Sequence, residues 1–191
     1  SGYPVSEPVI LDENRPAMLV YTSGSTGTPK GILHSIRSVG DSVNRHSTLF
    51  ADMREIKFGA TAPMSFVAFV MEYLTVLCQG GCVHILSDTV RKNIRELEAY
   101  FSRHRITSSF ISPQMLKLFR ETEGLERVFS ASERLSGVYS ESYEIFNLYG
   151  MSETLAGVTA FKLDKKYDNT PIGTPLGDIE LFLLDEENRE V

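Results

Sequence analysis

The amino-acid pattern predicts an α/β fold, a layered parallel sheet flanked by helices. Short, β-branched apolar runs recur along the chain, each bounded by Gly, Pro or Ser. Between them lie longer segments with apolar residues at helical spacing. Such alternation makes strand–helix–strand units, whose crossovers leave neighbouring strands parallel. With 191 residues, 42% of them hydrophobic and 10% aromatic, the chain can bury a real core as one domain or two small subdomains.

The elements follow in order. Residues 1–16, with Pro4, Pro8 and Asp12, read as a connector. Residues 18–22 form a strand, which leads through a loop into a second strand at 31–34. A helix covers residues 36–49. Residues 57–63 read as a strand running into a loop, with an apolar helix at 66–77 entering behind it. Gly80-Gly81 suits a helix C-cap, and 82–86 reads as a buried strand. In the polar stretch 89–104, Ile94, Leu97 and Phe101 make one apolar helix face. Residues 107–111 are a strand, and Pro113 fits the first turn of a helix over 114–121. Segments 125–130 and 142–147 complete the alternation. There is no repeat or low-complexity tract.

Bulk properties exclude several functions. The formal charge of −6 gives no basic surface, so no nucleic-acid partner is expected. No cationic-then-apolar segment opens the chain, and its most apolar region, 66–77, is interrupted by Glu72 and too short for a bilayer. A cytoplasmic protein without membrane contact is expected. Cys78, Cys82 and His84 supply three local ligands where zinc needs four, so buried thiols of a reducing compartment are the better reading. His34, His46 and His104 show no ligand-like grouping.

The richest chemistry lies in Tyr21-Thr22-Ser23-Gly24-Ser25-Thr26-Gly27-Thr28-Pro29-Lys30-Gly31, which follows the apolar run Met18-Leu19-Val20. A strand feeds a loop of small residues that offers backbone N–H groups, hydroxyls and one ammonium, the donors a polyphosphate needs. A P-loop would end in Gly-Lys-Ser/Thr; here Pro29 precedes Lys30 and Gly31 follows it, so that pattern fails on both sides. A flexible linker would explain the small residues, but not the strand before them or the lone Lys after them.

That loop resembles the phosphate-binding signature of the adenylate-forming superfamily: acyl- and aryl-CoA ligases, luciferases, and adenylation domains of nonribosomal peptide synthetases. Asn147-Leu148-Tyr149-Gly150-Met151-Ser152-Glu153 is similar to a second block of that family, and Pro171-Ile172-Gly173-Thr174-Pro175 with residues 179–185 to a third. The resemblance spans about residues 17–185. It implies a flavodoxin-like subdomain of a larger N-terminal domain, with residues 17–191 as a partial AMP-binding core. The phosphate loop would be 21–31, the acid-pocket helix 66–77 and the adenine and Mg²⁺ block 147–153. Family members are longer, so a core portion is expected whose partners include the rest of the enzyme and its C-terminal domain, and which is inactive alone.

The family's reaction joins a carboxylate oxygen to the α-phosphorus of ATP and expels pyrophosphate. The resemblance implies that Thr22, Ser23, Gly24, Ser25, Thr26, Gly27, Thr28 and Lys30 hold the β- and γ-phosphates. Glu153 would coordinate Mg²⁺, and Ser152, in place of the commoner Thr, would reach the α-phosphate. Tyr149, beside Gly150, would lie against adenine, whose edge Asn147 or the backbone at Ala131-Ser132 would read. Outside such a block Glu153 would read as a solvated helix cap and Tyr149 as a core aromatic.

In amino-acid-activating members a Phe-Asp pair opens the pocket helix, and the Asp holds the substrate's α-ammonium. Here Ser65-Phe66-Val67-Ala68 occupies that place, anchored by Glu72 and Gly80-Gly81. An ammonium left unpaired against Val67 would cost about 3–5 kcal/mol, roughly a hundred- to thousandfold or more in affinity. The other matching pocket positions are Ala68, Met71, Phe110, Phe129, Ala131, Leu148, Ala156 and Gly157, all apolar or small. Phe110 and Phe129, on strands, also suit plain core residues. The expected substrate is an apolar carboxylic acid without an α-amino group: an α-keto or α-hydroxy acid, an aryl acid or a short acyl acid. The loop and the third block look most like peptide-synthetase adenylation domains, which load a carrier-protein phosphopantetheine. Met151, where those domains usually have Pro, is more typical of acyl- and aryl-CoA ligases, whose acceptor is CoA. A nucleotide-binding module without catalysis, or a platform subdomain, would lack a need for both Lys30 and Glu153.

Overall fold

The structure, a computed structural model, describes residues 12–23 and 28–191. Its strands are β1 (Pro16–Thr22), β2 (Lys30–Ser35), β3 (Lys57–Ala60), β4 (Cys82–Ile85), β5 (Ser108–Phe110), β6 (Arg127–Ser130), β7 (Glu144–Met151), β8 (Ala156–Lys162) and β9 (Thr174–Pro175). The α-helices are α1 (Ile36–Ser47), α2 (Val76–Cys78), α3 (Asp88–Lys92), α4 (Ile94–His104) and α5 (Pro113–Leu116), and a π-helix at Val70–Thr75 runs into α2. Seven strands form one sheet in the order β4-β3-β5-β6-β7-β8-β9. Its first five members are mutually parallel, and β8 and β9 extend it antiparallel.

Side chains alternate across this sheet, and both faces are covered. Val128 and Ile145 enter a core that Leu97 and Phe101 of α4 and Leu116 of α5 complete. Their neighbours Phe129 and Phe146 face the other way, toward Phe50, Phe58, Met71 and Tyr73. The apolar face expected from Ile94, Leu97 and Phe101 is therefore real: Leu97 and Phe101 are fully buried and Ile94 packs against them. Burying each such side chain contributes about 1.5–3 kcal/mol.

Several expectations need correction. β1 and β2 stay out of the large sheet and pair with each other as an antiparallel hairpin. The segment at 89–104 is two helices, because Asn93 leaves the helical conformation and its side chain caps α4 through the N–H groups of Arg95 and Glu96. The helix expected over 114–121 is the single turn α5, capped by Ser112. Among the described residues no helix joins β6 to β7. The strand at 82–86 is an edge, paired to β3 alone, and Cys78 and Cys82 are exposed rather than buried. Much of the connector, with residues 24–27 of the loop, lies outside the described residues. Residues 12–15, however, turn back onto the start of α1, where the Arg15 carbonyl accepts the Ile36 N–H at 3.0 Å and Glu13 pairs with Arg37. Among the described residues no helix is long and apolar enough to cross a membrane.

Candidate active site

β1 and β2 bring the two ends of the Ser/Gly/Thr loop together: Thr22 is registered opposite Lys30. The other sequence block ends β7, whose chain then reverses through a short 3₁₀ turn, Ser152–Thr154, into β8. That reversal is tight. A Cβ on Gly150 would fall 1.7 Å from the Ala156 carbonyl oxygen, so only glycine fits there. Leu155 and Ala156 both adopt positive φ, 55° and 71°, a conformation that must be held from outside.

The holding groups come mainly from α1. Ser42 Oγ donates to the Leu155 carbonyl at 3.0 Å, Arg45 donates to the carbonyls of Thr154 and Gly157 at 2.9 and 3.0 Å, and His46 Nε2 donates to the Gly157 carbonyl at 3.0 Å. From β2, His34 Nε2 donates to the Ser152 carbonyl at 2.9 Å. Because a carbonyl only accepts, each imidazole carries its proton on Nε2. Burial pushes His46 down to about 4, and neighbouring Arg45 adds to that, so it works as a neutral ring. Sequence reasoning gave these side chains no role, since none is grouped as metal ligands are. The available signal was the i, i+4 spacing of Ser42 and His46, which puts both on one helix face.

The clamp presents Ser152 and Glu153 toward the hairpin. Lys30 Nζ lies 3.8 Å from Glu153 Oε1, across 123 residues of sequence by their numbering. Both side chains are about half exposed or more, so the pair contributes little stability by itself. Its meaning is positional: the lone lysine of the loop and the carboxylate of the second block meet at one point.

Behind that point opens a cavity of about 370 Å³. Thr22, Ser132, Gly150, Met151, Ser152 and Glu153 line its polar end, and Phe66, Val67, Ala68, Met71, Phe110, Ala131, Leu148, Ala156 and Gly157 the rest. Glu153 is the one charged side chain among these described residues. Phe129 is the exception to the expected lining. It lies on the same face of the sheet as Met71 and Leu148 but is fully buried, its ring absorbed by the aromatic cluster of Phe50, Phe58 and Phe146. Tyr149 is 44% exposed and faces an adjoining slot of about 340 Å³, walled also by Ser132, Asn147 and Gly150. Asn147 donates its amide N–H to the Pro171 carbonyl at 2.8 Å, which leaves its Oδ1 as an acceptor. Ser23 and Thr28 stand at the two described edges of the loop, while Gly24, Ser25, Thr26 and Gly27 lie outside the described residues.

The π-helix shapes the cavity wall. It is one residue wider per turn than an α-helix, and such turns recur at functional sites. Met71 faces the cavity, whereas Glu72 is fully buried and accepts the Ala62 N–H on both oxygens at 3.1 and 3.3 Å. Burial pushes its carboxyl up to about 8, against the pull of backbone donors at Ala62 and Thr61. Glu72 thereby ties the loop at 61–62, after β3, to the helix that carries Met71; Phe66, Val67 and Ala68 lie in turns before that helix, so the helix expected over 66–77 starts later than its sequence suggests. Among the described residues no three His, Cys, Asp or Glu gather as a metal cluster.

Residues 3–191 match the family described as AMP-binding enzyme. Bacitracin synthase 1 of Bacillus licheniformis is 31% identical over 173 residues, which cover 90% of this chain and 3% of that protein. The Vibrio cholerae adenylation domain AlmE, solved with glycyl-adenosine-5'-phosphate, superposes with a TM-score of 0.82 at 20% identity, over 94% of this chain and 37% of that one. The Klebsiella oxytoca NpsA N-terminal subdomain, solved with 3-hydroxybenzoyl-AMSN, gives 0.78 at 21% identity, over 100% and 52%. The chain thus spans about half or less of the length of the proteins it matches here.

Proposed function

The chain belongs to the AMP-binding enzyme family, and from that premise we propose that it is the core of an ATP-dependent ligase that activates an apolar carboxylic acid as its acyl-adenylate. The observation that carries this is the meeting of Lys30 and Glu153 at the mouth of an apolar cavity. In this reading residues 17–191 are the AMP-binding core of a larger cytoplasmic enzyme. The acid enters the cavity tail first, so that its carboxylate stays at the polar end beside Thr22 and Ser152. Adenine occupies the adjoining slot against Tyr149, with the Asn147 Oδ1 acceptor turned to its amino group.

The donor set fits a polyphosphate with a hard cation: one ammonium, three hydroxyls and one carboxylate, with no soft thiolate or imidazole among the cavity's described residues. Glu153 and phosphate oxygens would hold Mg²⁺, which when bound neutralises phosphate charge. The chain's own residues do the remaining work. Lys30 exchanges its contact with Glu153 for a phosphate oxygen, Ser152 donates to the α-phosphate, and the apolar wall excludes water that would hydrolyse a mixed anhydride.

Val67 sits on the cavity wall, and no described lining residue there offers an ammonium a carboxylate apart from Glu153 at the mouth. This supports an acid without an α-amino group: α-keto, α-hydroxy, aryl or short acyl. Loading of a carrier-protein phosphopantetheine remains the preferred second step. Met151, the residue that favours a CoA ligase, has a local reason here: its N–H donates to Thr154 Oγ1 at 3.1 Å, a bond that Pro could not make. The test is acid-dependent ATP–pyrophosphate exchange by the full-length enzyme carrying Lys30→Ala or Glu153→Gln. Each change is expected to lower exchange by about a hundredfold or more. Exchange near the wild-type rate in both would remove the site assignment.

A further inference from the structure

A second cavity, about 380 Å³, lies against the first and shares Phe66 and Phe110 with it as a common wall. Its place in the sheet is informative. From β3 the chain crosses outward to the edge strand β4, whereas from β5 it crosses the other way to β6, so the direction of winding reverses between β3 and β5. Crevices at the carboxyl ends of strands at such a reversal are where open α/β sheets bind ligands. The residues that follow those two strand ends, Thr61 to Pro63 and Ile111 to Ser112, line this second cavity.

Its chemistry is also defined. The walls are largely apolar, with Met115 and Leu97 among them. Of their hydroxyls, Thr61 Oγ1 donates to the Phe110 carbonyl at 2.6 Å, while Ser112 Oγ accepts the Met115 N–H at 3.5 Å and keeps its own O–H to donate. Arg91 is the one charged side chain among the described lining residues. It is largely buried, paired with Asp88 and donating to the Thr61 carbonyl at 3.2 Å. Those contacts use three of the five guanidinium N–H groups and leave two. Between the cavities, Phe66 is 50% exposed, so the partition is not packed shut.

Resting on the acid-activating reading above, and replacing its short acyl acid with a longer one, we infer that the second cavity is a tail site of the same pocket. It takes the distal part of an elongated acid that passes Phe66 and Phe110 and ends in an oxygen acceptor facing Arg91. The carboxylate to be activated stays at Ser152 and Glu153, and the apolar middle of the chain crosses the shared wall.

Exchange kinetics in the full-length enzyme with butyrate, octanoate and 8-hydroxyoctanoate test this. The wild type should show a KM for octanoate at least about tenfold below that for butyrate, since the added methylenes leave water, and a lower one again for the hydroxy acid. Met115→Trp fills the second cavity from α5, and Ala62→Leu fills it from the other wall. Each should raise the two long-acid KM values about tenfold or more and move that of butyrate by less than about twofold. Arg91→Met should abolish the preference for the hydroxy acid alone. Equal effects on short and long acids, or no dependence on length, would overturn the tail site while leaving acid activation intact. An absence of exchange with all three of these acids would likewise overturn the tail site, while acid activation itself is decided by exchange with α-keto, α-hydroxy and aryl acids.

Discussion

His46 holds the Gly157 carbonyl as a neutral imidazole, and Glu72 holds the Ala62 N–H as a carboxyl that burial keeps largely protonated. The two act on stability in opposite directions. His46 falls from 6.5 to about 4 on folding, so the folded state binds fewer protons and stability drops as pH falls through that window. Glu72 rises from 4.5 to about 8, so the folded state binds more protons and stability drops as pH rises through that window. Where the windows overlap, between about pH 4.5 and 6.5, the slopes of at most ~1.4 kcal/mol per unit cancel. Urea unfolding should therefore show a plateau there and a decline from about pH 6.5 to 8. In Glu72→Gln the decline should vanish, and stability should climb up to about pH 6.5. An unchanged alkaline decline in that variant would contradict the burial argument. In the sequence Glu72 served only as an anchor of the pocket helix and His46 had no role, because a buried acid or base is recognised by what surrounds it, and nothing local to either names its partner 10 or 111 residues away.

Elements were readable where one local rule governs them. The Pro113 start of α5 and the apolar stripe of α4 follow from such rules. Elements escaped where the partner decides. β4 carries the apolar sequence of a central strand yet lies at the edge, and the hairpin of β1 and β2 stands apart from the sheet that its residues would suit. The reversal after β7 is of this second kind, and glycine is its weak point. Gly150→Ala pushes a methyl group into the Ala156 carbonyl and should cost about 2–4 kcal/mol and most of the exchange activity. Gly40, inside α1, makes the opposite case, since a methyl group added there would meet nothing within 4 Å. Gly40→Ala should stabilise by about 0.5–1 kcal/mol and leave exchange unchanged. Thermal unfolding of both variants checks the pair; an unaffected midpoint for Gly150→Ala would mean that the reversal is not tight.

At the scale of the whole molecule, the sheet order places the carboxyl ends of β5, β6 and β7 in a row, and the cavity opens along them through Phe110, Ala131 and Leu148. The sequence blocks were legible as parts of one site through their resemblance to the adenylate-forming superfamily, since outside it Glu153 and Tyr149 would read as a helix cap and a core aromatic. The pairing of Lys30 with Glu153 and the second cavity were not, since both arise only from how the strands are ordered. The central claim is that this pocket accepts an acid with no ammonium to bind. Acid-dependent ATP–pyrophosphate exchange by the full-length enzyme tests it most directly, with leucine, its α-keto and α-hydroxy analogues, a plain branched acid and benzoate as the panel. Exchange with one or more of the acids lacking an amine, and none with leucine, is the expected result. Exchange with leucine at the rate of its analogues would contradict the account, because another group would then be pairing the amine that Val67 cannot.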